Sequence, residues 1–289
     1  MYKNIKGHCF MKVLLLVLVA VLLAGHHALA EEDLAKQSQN PVANMISVPF
    51  ENNTYFDVGP TEKWANALFV KPVYPLSLGK LNLINRLIIP VIYLKGQDSI
   101  SRESDDDPVL GKIQVFPGSS NKFGLGNIQY QGFISPANPG KVTWGLGPVF
   151  EFPTNTNSRL GTDTWSIGPT MVVLTMPGKW VLGFVTQNIW DFAGKSGEPS
   201  VSRFTFQPIL NYMIGQGWYL TSGPIIAANW EASSGEKWTV PVGGGGGRLM
   251  QFGKQPIDFK LASYWYADAP RFGPDWSLQF TVKFLFPKK

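Results

Sequence analysis

The sequence predicts an all-β fold: a transmembrane antiparallel up-and-down β-barrel of about 12 strands that follows a cleaved signal peptide. Three observations predict it. Apolar and polar residues alternate with a period of two along most of the chain, as in strands with two different faces. Short turns alternate with longer polar loops between these segments, and the tryptophans fall at segment ends rather than at segment centres. Together these features are typical of outer-membrane barrels.

The first element is a predicted secretory signal peptide over residues 1–30. Residues 11–30 combine Lys12, an apolar run over 13–23 and the small residues Ala28 and Ala30 of an Ala-x-Ala cleavage site, which is the pattern of an exported precursor. A membrane anchor is the alternative, but the apolar run is short for a spanning helix. We therefore divide the chain into a signal peptide (1–30), an N-terminal polar segment (31–45) and a β-barrel domain (46–287).

The composition of the mature chain excludes several classes of site. His8, His26, His27 and Cys9 all lie in the signal peptide, so no histidine or cysteine remains after cleavage. Their loss excludes Ser-His and Cys-His catalysis, disulfides and ordinary zinc or copper sites. We expect no enzyme activity, no cofactor and no metal, although a Ser-Lys nucleophile or a carboxylate pair stays open. Loss of three lysines lowers the net charge from +5 to +2, so we expect no nucleic-acid partner.

Twelve strands are predicted in order along the mature chain. The last is the clearest, because apolar residues such as Phe280 alternate with polar residues such as Gln279 over 276–286. The same reasoning predicts the other strands over 46–58, 68–76, 81–94, 128–134, 142–152, 165–176, 180–190, 204–214, 218–230, 238–250 and 257–267. Most connectors at one end of these strands are short and most at the other end are long, which is typical of periplasmic turns and extracellular loops.

Tryptophans support the barrel and prolines argue against continuous strands. Trp64, Trp165, Trp190, Trp230, Trp238, Trp265 and Trp276 fall near loop ends, and Trp144, Trp180 and Trp218 fall near turn ends. Two such girdles are expected where indole meets lipid headgroups, whereas a soluble β-sandwich, the alternative, would scatter them through its core.

Prolines at 49, 72, 90, 148, 169, 208, 224 and 241 lie inside the predicted strands. Each removes a backbone donor, so bulges are expected there.

Several stretches resemble a known family. They are 33–43 (DLAKQSQNPVA), 46–50 (ISVPF), 144–150 (WGLGPVF), 252–256 (FGKQP) and 284–288 (FLFPK). The mature chain resembles bacterial outer-membrane transporter-like proteins that are grouped with the meta-pathway phenol-degradation family and are often mislabelled neuromedin U. This resemblance implies an outer-membrane barrel with a transport role, and it supplies no catalytic or binding residues.

Alternation assigns a set of charged residues to the barrel lumen, because a charge that faces lipid near mid-bilayer is costly. These lumen-lining candidates are Glu51, Asp57, Lys71, Arg86, Glu151, Arg203, Asp258, Lys260 and Lys283. One interpretation is a mixed-charge channel lining that orients a polar solute. The other is a set of internal ion pairs that brace a closed barrel.

Glycines share the same inward parity on five predicted strands. This glycine wall comprises Gly145, Gly147, Gly168, Gly183, Gly223, Gly243, Gly245 and Gly247. Glycine in a strand indicates close approach of another group or space that is left free. A solute path and a docked plug segment would both use such a wall, and barrel curvature is the third explanation.

Three further stretches are weaker candidates. Gly194-Lys195-Ser196 resembles the end of a phosphate-binding loop, but Ile189 stands where the motif needs glycine. An acidic stretch with Asp98, Glu103 and 105–107 could bind divalent cations near lipopolysaccharide, or could be a solvated loop. Residues 31–45 could enter the lumen or stay in the periplasm.

The function that the sequence favours is a passive channel for small solutes, including aromatic or hydrophobic ones, in the outer membrane of a Gram-negative bacterium. The partners expected are outer-membrane lipid, lipopolysaccharide and a small-molecule solute, and the rival function is a non-conducting structural or lipid-interacting barrel.

Overall fold

The alternating segments form one antiparallel sheet in a computed structural model, which describes residues 28–96 and 120–287. A helix, α1 (Ala28–Ser38), precedes the strands. The strands are β1 (Ile46–Val58), β2 (Lys63–Val70), β3 (Val73–Leu78), β4 (Leu81–Leu94), β5 (Lys122–Leu125), β6 (Ile128–Pro136), β7 (Val142–Phe152), β8 (Thr164–Thr175), β9 (Trp180–Gly194), β10 (Ser202–Gly215), β11 (Trp218–Ser222), β12 (Ile226–Asn229), β13 (Trp238–Phe252), β14 (Gln255–Asp268) and β15 (Trp276–Phe286). Because β9 pairs with β10 and β15 pairs with β1, the sheet closes on itself, and the predicted 12-strand barrel is confirmed.

Fifteen strands give twelve positions around the barrel because three positions are each divided between two strands. The pairs are β2 with β3, β5 with β6, and β11 with β12. The breaks contain Pro72, Gly126 and Pro224. Proline cannot donate to the ladder and glycine weakens it. The predicted continuous strands over 68–76 and 218–230 are therefore wrong in extent, whereas the bounds 46–58, 81–94 and 142–152 agree with β1, β4 and β7.

The remaining prolines lie within strands, several of them where the ladder is irregular. Pro148 of β7 lies opposite Pro169 of β8 in an uninterrupted ladder, and pairing is interrupted instead on their outer sides, at 147–148 toward β6 and at 168–169 toward β9. Pro241 follows a register shift in the β13–β14 pair. The carbonyl of Pro90 accepts a hydrogen bond from the backbone of Gly126 at 3.0 Å. The expectation that bulges absorb part of the cost therefore fits Pro241, whereas at Pro148 and Pro169 the ladder to the outer neighbour is interrupted without a register shift.

The outer surface carries the aromatic girdles. Trp64, Trp165, Trp190, Trp230, Trp238, Trp265 and Trp276 are exposed near the loop end, and Trp144 and Trp180 are exposed near the turn end. Trp218 is half-buried beneath the Arg248 guanidinium, 5.0 Å from the ring centroid. Apolar side chains such as Leu146, Leu220 and Val242 are exposed between the girdles. Among the described residues, no helix has the length and apolarity needed to cross a membrane.

The N-terminal segment lies inside the barrel at the turn end. Ala35, Val42 and Met45 are buried in a cluster with inward-facing strand residues that include Phe133 and Leu249. The Lys36 ammonium donates hydrogen bonds to two backbone oxygens at the β8–β9 turn, Met176 O at 2.8 Å and Gly178 O at 2.5 Å. Residues 35–45 are thus held by apolar packing and by hydrogen bonds, and they fill part of the lumen.

Candidate functional site: the barrel lumen

Alternation directs polar side chains inward, and these line two neighbouring cavities. The upper cavity, toward the long loops, has a volume of about 170 Å³ and mixes charged and amide groups with apolar residues such as Phe69, Ile88 and Ile92. The lower cavity, of about 160 Å³, is bounded on one side by N-terminal residues 38–45. Both cavities share Glu51, Lys71 and Arg86 in their lining, which places these three side chains at the junction.

The upper cavity contains a chain of amides that ends on a carboxylate. Gln131 Nε2 donates to Gln187 Oε1 at 2.6 Å, and Gln187 Nε2 donates to Gln129 Oε1 at 3.3 Å. Gln129 Nε2 donates in turn to Glu151 Oε2 at 2.7 Å, while the Arg203 guanidinium pairs with Glu151 Oε1. Because four strands contribute to this network, it ties the barrel wall together across the lumen, and the Glu151 charge is neutralised by Arg203.

The lower cavity contains a second neutralised carboxylate. Lys283 Nζ lies 3.4 Å from Asp258 Oδ2, and the Tyr219 hydroxyl donates to Asp258 Oδ1 at 2.8 Å. Two contacts connect this cluster to the N-terminal segment: Gln39 Nε2 donates to Asp258 Oδ2 at 3.2 Å, and Lys283 Nζ donates to the Ser38 carbonyl at 2.8 Å. The Asp258 cluster is therefore also an anchor for the segment that narrows the lumen.

The junction carries more positive than negative charge. Lys71 Nζ lies 2.7 Å from Glu51 Oε1, and Lys260 Nζ lies 4.0 Å from Glu51 Oε2, at the limit of an ion pair. Asn53 Nδ2 also donates to Glu51 Oε1, at 3.3 Å. Arg86 extends into the same space from β4 and makes no hydrogen bond or salt bridge with any residue in 28–96 or 120–287. Three cations thus surround one carboxylate.

The predicted lumen residues divide into two groups. The structure places all of them except Asp57 in the lining of one or both cavities: Glu51, Lys71, Arg86, Glu151, Arg203, Asp258, Lys260 and Lys283. Asp57 lines neither of the two cavities. A register shift between Tyr55 and Val58 interrupts the alternation there, and Asp57 has a positive φ of 62°. Placing Asp57 in the lumen by parity was therefore wrong, since a bulge resets the two-residue period.

The glycine wall is not an empty face of the lumen. A Cβ at Gly245 would overlap the backbone oxygen of Leu261 on the next strand, so this glycine allows a close approach between strands. A Cβ at Gly145 would be 3.2 Å from Val42 of the N-terminal segment. Of the glycines assigned to the wall, only Gly223 lines a cavity. Inter-strand approach and a docked segment therefore explain these positions, and the interpretation as a bare solute path is wrong for most of them.

Gly147, Gly168, Gly183 and Gly243 repeat the Gly245 arrangement. At each of these positions a Cβ would overlap a backbone oxygen of the neighbouring strand. At Gly247 a Cβ would instead overlap the ring of Tyr219, the residue that donates to Asp258.

The structure does not support the phosphate-loop candidate. Gly194 ends β9 and is followed by a turn without a helix, whereas a phosphate loop leads into a helix N-terminus. Asp98, Glu103 and residues 105–107 lie outside the described residues. Within the described part of the chain, no cluster of three acidic, histidine or cysteine residues could hold a metal ion. Sequence reasoning missed the amide chain and Tyr219, because uncharged polar residues at inward parity were not considered.

The closed twelve-position barrel with aromatic girdles and a polar lumen has the architecture of the outer-membrane β-barrels. The crystal structure of the COG4313 outer membrane channel from Pseudomonas putida F1 is similar, with a TM-score of 0.59 and 15% identity over 84% of this chain and 95% of that one. The CymD monoaromatic hydrocarbon channel aligns with a TM-score of 0.45 and 10% identity over 87% and 92% of the two chains. No protein-family model and no curated protein sequence matches the chain.

Proposed function

We propose that this chain is a passive outer-membrane channel for small solutes, with single-ring aromatic or hydrophobic molecules among them. The observation that carries the proposal is a cavity of about 170 Å³ inside a closed barrel, lined by apolar and polar side chains together. A cavity of roughly 150 Å³ is enough to hold benzene. The fold shared with a channel supports the proposal by analogy.

The same proposal includes export and placement in the envelope. The signal peptide over 1–30 would direct export, and the outward tryptophans would contact outer-membrane lipid and lipopolysaccharide at the two interfaces. The resemblance to the group of meta-pathway outer-membrane proteins favours aromatic solutes. Neither catalysis nor a cofactor is part of the proposal.

A non-conducting structural barrel is the second candidate, and one specific observation favours it. Residues 35–45 occupy the lower lumen and are anchored through Lys36, Gln39 and Ser38. If this segment never moves, the route between the cavities and the turn end would stay narrow.

Single-channel recording in planar bilayers separates the two candidates. We expect discrete current steps from the purified wild type, and larger steps from a variant that lacks residues 33–43, because the lower lumen is then open. Both proteins must show the heat-modifiable gel band of a folded barrel, which serves as the control. Absence of current from both folded proteins would refute the channel and leave the structural barrel. Detergent-dependent extraction from outer membranes and a mature N-terminus at Glu31 test the location and the cleavage site.

A further inference from the structure

We propose that the junction of the two cavities is a binding site for an aromatic carboxylate, with Arg86 and Lys260 holding the carboxylate and the upper cavity holding the ring. The site rests on the proposed channel function and specifies its substrate class. Four features of the lumen carry the inference: its charge balance, the state of Arg86, the apolar residues beside it and the dimensions of the cavity.

The charge balance leaves two cations without a carboxylate of their own. Glu151 is paired with Arg203, and Asp258 is paired with Lys283 at 3.4 Å. The third carboxylate, on Glu51, is bound most closely by Lys71 at 2.7 Å, and the Asn53 amide also donates to it. The positive charge that remains in the described lumen therefore belongs to Arg86 and Lys260, and it is concentrated at one level, around the junction.

Arg86 has the chemistry to receive a carboxylate. Its guanidinium presents five donors in a planar fork that matches a carboxylate in a bidentate manner. Within residues 28–96 and 120–287, no side chain or carbonyl accepts any of these donors, although the residue is half-buried. Lys71 repels the Arg86 guanidinium and Glu51 attracts it only at a distance, so this charge has no bound partner in a low-dielectric lumen, which carries a cost. An anion that enters from solvent would remove that cost.

The residues beside Arg86 favour a flat apolar group next to the anion. On β4 the inward residues that follow Arg86 are Ile88, Pro90 and Ile92, all of which line the upper cavity. The ring of Phe69 adjoins this strip, because Phe69 pairs with Pro90 and lies 5.1 Å from the Lys71 ammonium. The cations at the junction therefore lie directly beside a strip of apolar side chains.

The spacing suits a benzoate-sized molecule. Residues two apart on one face of a strand are separated by about 7 Å. A carboxylate at Arg86 therefore places an attached ring at the level of Ile88, in a cavity of about 170 Å³. Acetate, which lacks a ring, would leave the apolar strip uncovered.

The test measures benzoate binding by isothermal titration calorimetry on the detergent-solubilised barrel, with benzyl alcohol as a neutral ligand of similar shape and acetate as the anion without a ring. We expect wild type to bind benzoate at least about tenfold more tightly than either control, since a charge-assisted bidentate contact and the ring burial both contribute. Arg86→Gln should weaken benzoate binding at least about tenfold and leave benzyl alcohol unchanged. Lys254→Gln, which removes an exposed turn charge outside the lumen, should change neither.

Several results would overturn the site. Equal affinity for benzoate and benzyl alcohol would remove the anion component, and equal affinity for benzoate and acetate would remove the aromatic component. Unchanged benzoate affinity in Arg86→Gln would remove the assigned residue. If that variant lacks the heat-modifiable band, Arg86→Lys and Lys260→Gln replace it, each with a smaller expected loss. Because binding is measured without conduction, tight benzoate binding by a barrel that carries no current would refute the channel and keep the site.

Discussion

The two faces of β15 can be tested by placing the same charge on neighbouring residues. Phe280 is 37% exposed on the outer surface and Gln279 is 7% exposed toward the lumen. Phe280 lies four residues after Trp276 and six before Phe286. At about 3.4 Å per residue and a tilt near 45°, it is about 10 Å inside the Trp276 level and about 14 Å from Phe286. Phe280→Asp therefore places a carboxylate deep in the apolar band.

The expected magnitudes differ between the two substitutions. A lysine or arginine at this depth costs about 2–4 kcal/mol and an aspartate somewhat less, to which the lost lipid contact of the phenyl ring adds about 1–2 kcal/mol. Gln279→Asp loses one hydrogen bond, from Nε2 to Asn53 Oδ1 at 2.9 Å, worth about 1 kcal/mol. Its new charge faces the polar upper cavity rather than lipid, where water can hydrate it.

The measurement is the folded fraction after refolding into lipid vesicles across a urea series, read from the heat-modifiable gel band. We expect the Phe280→Asp midpoint to fall well below wild type and the Gln279→Asp midpoint to stay close to it. A Phe280→Leu variant controls for loss of the ring without added charge. Equal midpoints for the two aspartate variants would show that the assignment of faces on β15 is mistaken.

Three further predictions concern the lumen. Lys36→Met removes two hydrogen bonds to the β8–β9 turn, so single-channel recordings should show more frequent transitions to a larger conductance; an unchanged trace would mean that the apolar contacts alone hold the segment. Gly245→Ala should abolish the folded band because the Cβ overlaps a carbonyl of the next strand, whereas Gly246→Ala, with its nearest neighbour at 3.4 Å, should keep it; similar gels for both would contradict the close-approach explanation. Glu151→Gln leaves the half-buried Arg203 without its carboxylate and should lower the free energy of unfolding by about 3 kcal/mol in urea titrations, while a change below about 1 kcal/mol would indicate that the lumen around Arg203 is well hydrated.

The barrel could be predicted from the sequence because alternation and aromatic placement are local properties of each strand. The period of two is visible in 276–286, and the structure returns that range as β15. Strand interruptions were harder to predict, because Pro72 ends a strand whereas Pro148 is paired with Pro169 inside one. The difference depends on how the neighbouring strands pair, which is a matter of register rather than of local sequence.

In the lumen, too, some features follow from the local alternation of each strand, whereas others depend on contacts between strands distant in sequence. Parity assigned Arg86 and Lys260 to the lumen because a lipid-facing charge is costly, and both residues line a cavity. It failed at Asp57, where a bulge adds a residue. It could not show that Glu51 is shared by Lys71 and Lys260, because ion pairing between strands distant in sequence depends on closure of the barrel.

Outward polar residues mark another limit of the alternation rule. Asn52 of β1 and Asn66 of β2 have the parity of the lipid face, yet each donates to the other's side-chain oxygen at 2.9 and 3.0 Å, and Asn66 also donates to the Thr54 hydroxyl at 3.0 Å. Mutual pairing satisfies most of their hydrogen-bonding groups without water, so the cost of facing lipid falls. A polar residue at mid-strand is therefore not by itself an indication of the lumen face.

The glycine positions and the N-terminal segment have one physical explanation. Val42 enters the lumen against Gly145, and Tyr219 reaches Asp258 across Gly247. Larger side chains at these glycines would take the space that the segment and the tyrosine now occupy. Asp258 would then lose two hydrogen bonds, one from the Tyr219 hydroxyl and one from the Gln39 amide of the displaced segment. Small residues on β7 and β13 therefore permit a partly filled lower lumen, and the two cavities of about 170 and 160 Å³ are left as the volume in which a solute can be accommodated.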